Sequence, residues 1–269
     1  MRVEHILGVL LLVGCDVVFR IDAIDGEQDG QHDADVGEPD APLGCEQITS
    51  HDEDGDTVTD ACDVCPGTPD DQSDSDGDGV GDACDPNNST QDRLALFVTF
   101  AESSAPNDWE PIVGTWSVDG EDLLHTSPST ANRSIVGFKR SIPEPPYVLE
   151  IRLTVLSIST LSSVFAIVAD ANDEHRGVQC ALFRYENPTR DAVRADYANV
   201  APNETNLSQV TPDVYRMTMS YEEPGPLRCT FGATATMISL PQISSTGRLV
   251  LQSQGVAARI HHLAIYTRE

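Results

Sequence analysis

Residues 178–185 read VQCALFRY, and residues 227–233 read LRCTFGA. On an extended chain Val178, Cys180 and Leu182 share one face. In the second stretch Leu227, Cys229 and Phe231 share a face, while Arg228 and Thr230 point away. A period of two with an apolar side predicts strands that bury one face. Both cysteines therefore look inward. They either bond across neighbouring strands or stay as two buried thiols.

The pattern extends in both directions. LALFVTF, IVGTWSV, SIVGFKR, YVLEIRLTVL, SVFAIVAD, VYRMTMSY, RLVLQSQ and ARIHHLAIY are further runs rich in Val, Ile, Thr and aromatics. Gly, Pro, Asn and Asp punctuate them, and no long helical period intervenes. Ten or more strands over about 175 residues predict an antiparallel β-sandwich for residues 91–269.

Upstream, the composition changes. The chain carries 44 acidic and 16 basic residues, a net charge of −28. Residues 1–86 hold 24 of the acids and only Arg2 and Arg20; residues 87–269 balance to about −6. Phosphates would be repelled, so no nucleic-acid partner is expected. Residues 16–44 hold nine acids, four glycines and two prolines, a composition that buries no core and reads as a disordered acidic linker.

The acids of residues 74–85, DSDGDGVGDACD, have a register. Asp74, Asp76, Asp78, Asp82 and Asp85 occupy positions 1, 3, 5, 9 and 12, with Gly79 at position 6 to allow a sharp turn. DEDGDTVTDACD, 22 residues earlier, repeats it with Asp52, Asp54, Asp56, Asp60 and Asp63. Alternate side chains in a tight loop converge. Carboxylates about 4 Å apart repel by roughly 1 kcal/mol per pair in water, and by about 4 kcal/mol at an effective dielectric near 20. Only a bound cation offsets this, and all-oxygen ligands select a hard ion, Ca²⁺ before Mg²⁺. The carbonyls of Val58 and Val80 would add a ligand each. Position 6 of the first copy is Thr57, which predicts a strained turn or a more weakly held ion.

Residues 45–90, with Cys-Pro between two Asp-rich loops in DGDTVTDACDVCPGTPDDQSDSDGDGVGDACD, resemble thrombospondin type 3 repeats. The resemblance implies a chain wrapped around Ca²⁺ with almost no apolar core. Cys45, Cys62, Cys65 and Cys84 bracket the loops, and three pairings are open. The resemblance favours Cys45–Cys62 and Cys65–Cys84. An EF-hand would end in Glu between helices, and Pro66 and Pro69 exclude a long helix here.

Residues 1–15, MRVEHILGVLLLVGC, run apolar from Ile6 to Val13, too short to cross a bilayer and suited to an export signal. Leu12-Val13-Gly14-Cys15 resembles the bacterial lipobox. That resemblance implies cleavage before Cys15, a lipid on its thiol, and anchoring to the cell envelope, at the outer membrane or cell surface rather than the inner membrane.

The opening FVTFAESSAPNDWEPIVGTWSVDGEDLLHTS and the closing RLVLQSQGVAARIHHLAIY resemble the concanavalin A-like lectin/glucanase jelly roll. That family holds glycan binders, glycosidases and structural modules, and fold alone does not choose among them. The Glu-x-Asp-x-x-Glu of a laminarinase-type site is missing, and Glu150 has no carboxylate partners at that spacing. Nucleophile elbows, phosphate-binding Gly loops and His-Glu-x-x-His are missing too, so no enzyme is expected. Asp170, Asp173, Glu174, His175 and Arg176 form a polar loop, a candidate ligand rim. His261 and His262, adjacent in a strand, should face opposite sides. Trp109 and Trp116 are expected to pack the core rather than stack on sugar. The expected function is an envelope lipoprotein that binds Ca²⁺ and displays a sandwich for ligand binding or adhesion. Carbohydrate is the first ligand class. The alternatives are a structural or protein-binding module and a degenerate glycosidase.

Overall fold

The computed structural model describes residues 51–101, 108–172, 174–198, 200–222, 224–243 and 245–268. Cys15, the linker 16–44, Cys45 and Asp173 lie outside the described residues. Fifteen strands run through the described part. They are β1 (Asp92–Thr99), β2 (Trp109–Val113), β3 (Ser117–Asp119), β4 (Asp122–His125), β5 (Ser134–Phe138), β6 (Tyr147–Ile158), β7 (Ser163–Ala169) and β8 (Val178–Glu186). Then come β9 (Thr189–Tyr197), β10 (Val200–Leu207), β11 (Asp213–Tyr221), β12 (Gly225–Phe231), β13 (Thr234–Leu240), β14 (Leu249–Gln254) and β15 (Val256–Arg268).

They form two antiparallel sheets. Sheet A runs β13-β12-β11-β6-β15-β4-β3, and β1 also pairs with β15. Sheet B runs β10-β9-β8-β7-β14-β5-β2. The sequence expectation of an antiparallel β-sandwich therefore holds. The alternation explains why the sheets stack. In β6, Tyr147, Leu149, Ile151, Leu153 and Val155 point into one shared core; in β8, Val178, Cys180 and Leu182 meet them from the other sheet. Full burial of each such side chain contributes roughly 1.5–3 kcal/mol. Trp109 and Trp116 both pack in this core, Trp109 between Phe100 and Phe138.

Two local details depart from simple alternation. Cys180 and Cys229 are bonded, but across the sandwich, from β8 in sheet B to β12 in sheet A, with Cα atoms 5.4 Å apart. Inward-facing residues of opposite sheets meet in the core, whereas neighbours within a sheet need not. In β15 the register against β6 shifts between Ile260 and His262. Ile260 and Leu263 both reach the core despite being three apart. The bulge turns His261 and His262 to the same, outer face of sheet A, where His261 meets Asp122 and His262 meets Phe97. Strict alternation, which puts the two on opposite sides, fails here because a bulge adds a residue to one strand.

The Asp-rich repeats do not stand off as a separate spacer. They pack on the outer face of sheet A. Cys65, Val80 and Cys84 cluster with Ala264 and Tyr266, flanked by Leu94, Phe97 and Val148. The Cys65–Cys84 disulfide lies inside this small cluster. Gly67 presses on the His262 ring so closely that a Cβ would sit 2.4 Å from Cε1. Its carbonyl accepts a hydrogen bond from Arg152 Nη1 at 3.2 Å. Glu150, outward on β6, is buried on this face and paired with Arg216 at 2.5 Å. The apolar side chains that the short repeats cannot enclose by themselves are enclosed against a ready-made sheet.

The Cys180–Cys229 bond closes a separation of 49 residues. Loop-closure entropy of that length is worth about 4 kcal/mol. Changing both residues to Ala should lower unfolding stability by about that amount in denaturant titration, with the strand content unchanged by circular dichroism.

Candidate metal centre and ligand cleft

The two Asp-rich loops have the same hydrogen-bond pattern, shifted by 22 residues. Asp52 accepts the backbone N–H groups of Gly55 and Thr57; Asp74 accepts those of Gly77 and Gly79. Asp56 Oδ1 accepts the Val58 N–H and Asp78 Oδ1 the Val80 N–H. Asp63 accepts from Cys65, and Asp85 accepts from Asn87. Gly77 and Gly79 take positive φ, as do Gly55 and Thr57. Thr57, at φ 86°, has a Cβ in a backbone region that favours Gly. The strain expected from the sequence is there.

The carboxylates converge in three groups. Asp52, Asp54 and Asp56 each place an oxygen within 4.8 Å of the others, as do Asp74, Asp76 and Asp78. The third group joins Asp56 and Asp63 to Asp70. Asp70 and Asp92 continue the 22-residue register. Asp56 Oδ2 accepts the Asp70 N–H, and Asp78 Oδ2 accepts the Asp92 N–H. The Asp92 carboxyl contacts that of Asp85. Sequence reading missed both residues because they fall outside the twelve-residue loops. The repeat length of 22 was the signal that could have found them. Asp92 is the first residue of β1, so the second acidic group reaches into the sandwich itself.

Asp60 and Asp82, at position 9, do a different job. Asp60 binds the Glu53 N–H and His51; Asp82 binds the Ser75 N–H and hydroxyl. They close the loops with both oxygens engaged. The side chain of Val80 fills the cluster on sheet A, while that of Val58 is partly exposed. Of the four cysteines around the loops, Cys65 and Cys84 are joined and Cys62 is also disulfide-bonded.

The donor set fits a hard dication. Asp54 Oδ2, Asp63 Oδ2 and Asp70 Oδ2 are buried with no hydrogen-bond partner, and so are both Asp76 oxygens and Asp85 Oδ2. Positions 54 and 76, and 63 and 85, are equivalent in the repeat. Buried carboxylate oxygens without donors are costly unless a cation meets them. Burial, with neighbouring carboxylates, pushes Asp54 up to about 7 and Asp85 up to about 6. Without an ion, these acids bind protons more tightly folded than unfolded. Their charged forms oppose the fold above those values, and the opposition fades as pH falls through them.

A second site lies on the opposite side of the sandwich, on the outer face of sheet B. Ile135, Val164, Ala166, Val168, Ala181 and Val250 form a continuous, buried apolar floor, with partly buried Phe183 packed against it; of the six, Val164 lines the cleft. Beside it opens a cleft of about 400 Å³ lined by Phe183, Tyr185, Arg133, Gln179, Asp196 and Gln254, among others. The lining follows from β8. Once Val178, Cys180 and Leu182 face the core, Gln179, Ala181, Phe183 and Tyr185 must face out. Their rings stack with centroids 6.0 Å apart. The Arg190 guanidinium sits 4.0 Å from the Tyr185 centroid and that of Arg194 5.1 Å from Phe183. Arg194 pairs with Asp196 at 2.8 Å, and Tyr185 donates to Glu204. At the end of β8, Arg184 and Asp191 form a buried two-pronged ion pair that also holds both backbone groups of Val210.

The loop expected to form a rim has mixed roles. Asp170 is buried; its Oδ1 accepts the Ser245 hydroxyl and the Thr246 and Gly247 N–H groups, so it ties two loops together. His175 offers its carbonyl to Gln252 of β14. Glu174 and Arg176 are exposed and 3.7 Å apart. None of the four lines the aromatic cleft.

No protein-family model matches the sequence, and neither does any curated protein. Solved structures share the fold. A legume lectin-like domain from Entamoeba histolytica matches with a TM-score of 0.50 at 12% identity, over 64% of this chain and 97% of that one. The endo-β-1,3-glucanase from Pyrococcus furiosus matches with a TM-score of 0.48 at 10% identity, over 67% of this chain and 96% of that one. At these identities the likeness is one of fold, that of the lectin-like jelly roll.

Calcium affinity, measured by calorimetry, should rise from about pH 5 to 8, because the ion must displace the protons on Asp54 and Asp85. Asp92→Asn should weaken binding at least about tenfold. Asp82→Asn, whose amide oxygen still accepts the Ser75 N–H, should cost less.

Proposed function

We propose that this chain is a calcium-dependent, carbohydrate-binding lipoprotein of the bacterial envelope. Ca²⁺ held by the Asp-rich loops fixes the repeats against sheet A. The cleft on the outer face of sheet B takes a sugar. Cys15 carries the lipid that anchors the protein.

The observation that carries the sugar reading is the Phe183–Tyr185 pair at the edge of an apolar floor. Sugar rings present apolar C–H faces that stack on aromatic rings, while their hydroxyls need polar partners. Here Gln179, Asp196 and Gln254 line the same cleft. A cleft of about 400 Å³ is large enough for a small oligosaccharide unit. The lectin-like fold supports this reading, and the neighbour from Entamoeba histolytica is named as a legume lectin-like domain. The reading is one of binding: the lining carboxylate Asp196 is held by Arg194.

Glycan-array binding by the mature chain, with and without Ca²⁺, tests the sugar reading. Tyr185→Ala and Phe183→Ala should each weaken a defined hit roughly fivefold, about 1 kcal/mol per ring. A blank array, or hits indifferent to both rings, would move weight to a protein-binding or structural role. The anchor has its own test. Mass spectrometry of the mature N-terminus should find diacylglycerol on Cys15, and an unmodified Cys15 removes the anchor from the account.

A further inference from the structure

We propose that the sheet B cleft takes a sugar unit bearing an exocyclic oxyanion, a carboxylate or a sulfate ester, and that Arg133 meets it. This rests on the carbohydrate reading above and names the ligand class of that site.

The argument is one of charge. Three charged side chains line the cleft, Arg133, Arg184 and Asp196, and a fourth, Arg194, stacks on the Phe183 ring beside it. Three are already neutralised. Arg184 is bound by Asp191 at 2.7 Å, and Arg194 by Asp196 at 2.8 Å. Farther along, Arg190 is paired with Glu204. Arg133, just before β5, is exposed and makes no ion pair or hydrogen bond with a described residue. The lining thus carries one uncompensated positive charge beside an apolar floor, in a chain with net charge −28.

A guanidinium presents a planar fork of donors that matches the two oxygens of a carboxylate, or two of a sulfate. A neutral sugar would leave that fork to water. The acidic repeats do not oppose an anion here. Their contacts fall on the outer face of sheet A. Stacked sheets lie about 10 Å apart, so the two outer faces are farther apart still. The Debye length at physiological salt is about 8 Å, so the repeats' charge is screened across the sandwich. Ca²⁺ on the repeats would reduce it further.

The test uses the full mature chain in Ca²⁺ and isothermal calorimetry with three probes. These are an oligogalacturonate, its neutral methyl ester and a sulfated galactan oligosaccharide. At least one anionic probe should bind tenfold or more tightly than the ester, with an affinity that falls as salt rises. Arg133→Gln should abolish that preference, bringing the anionic probes down to the affinity of the ester. Which anionic probe wins identifies the oxyanion. Equal binding of ester and acids, or a preference that survives Arg133→Gln, overturns the proposal while the carbohydrate reading stands. If none of the probes binds and the glycan array is also blank, both fall together.

Discussion

Each Asp-rich loop gathers carboxylates that repel one another, and among the described residues no Lys or Arg forms an ion pair with them to offset that. In loops this small, repulsion of roughly 1–4 kcal/mol per close pair exceeds what local hydrogen bonds return. The backbone answers part of the problem: Asp52 and Asp74 each accept two N–H groups, and Asp60 and Asp82 are used as loop closures. The remaining oxygens, on Asp54, Asp63, Asp70, Asp76 and Asp85, are buried without a donor. Those are the oxygens a divalent ion would collect. On the proposed reading, a cation does for the repeats what the apolar core does for the sandwich.

The two stabilising systems are coupled by geometry. Asp92 belongs to β1, yet its N–H is held by Asp78 and its carboxyl touches Asp85. β1 pairs with the C-terminal half of β15, and Ala264 and Tyr266 of β15 close the cluster around Cys65 and Cys84. An ion at the second loop would therefore fix more than the loop, because it joins the same few residues that dock the repeats on sheet A. Removing it would expose Tyr266, Phe97 and Val148 to water, an apolar surface next to the buried Glu150 and His262. Burial already pushes His262 down to about 4, a neutral imidazole under the backbone of Gly67 at any ordinary pH.

Much of this was legible in the sequence, and the parts that were not have physical reasons. Period-two alternation in VQCALF and LRCTF gives the inward cysteines and the sandwich, because side-chain direction in a strand is local. Which strands meet across the core is not local, so the Cys180–Cys229 bond was expected between neighbours and instead crosses the sheets. The bulge in β15 adds one residue with no Gly or Pro to announce it, and it reverses the side of His262. The Asp register gives the loops, but Asp70 and Asp92 become visible only when the 22-residue period is carried past the loop ends. Docking of the repeats on sheet A is a tertiary fact; Val80 and Tyr266 have nothing in their local sequence that pairs them.

The alternation that buries Cys180 and Leu182 also decides where a ligand can go. It turns Phe183 and Tyr185 outward on sheet B, on a strand braced by its partners on both sides. Sheet A has outward residues too, but the repeats cover its middle, so its polar groups are spent on Glu150–Arg216 and Arg152–Gly67. The sandwich therefore divides its two outer faces between two tasks. One receives the acidic segment; the other keeps an aromatic edge and an exposed guanidinium beside a buried apolar floor. A ring that must stack on a sugar loses least entropy when it is already held, and the Arg190 and Arg194 guanidinia hold Tyr185 and Phe183 before any ligand arrives.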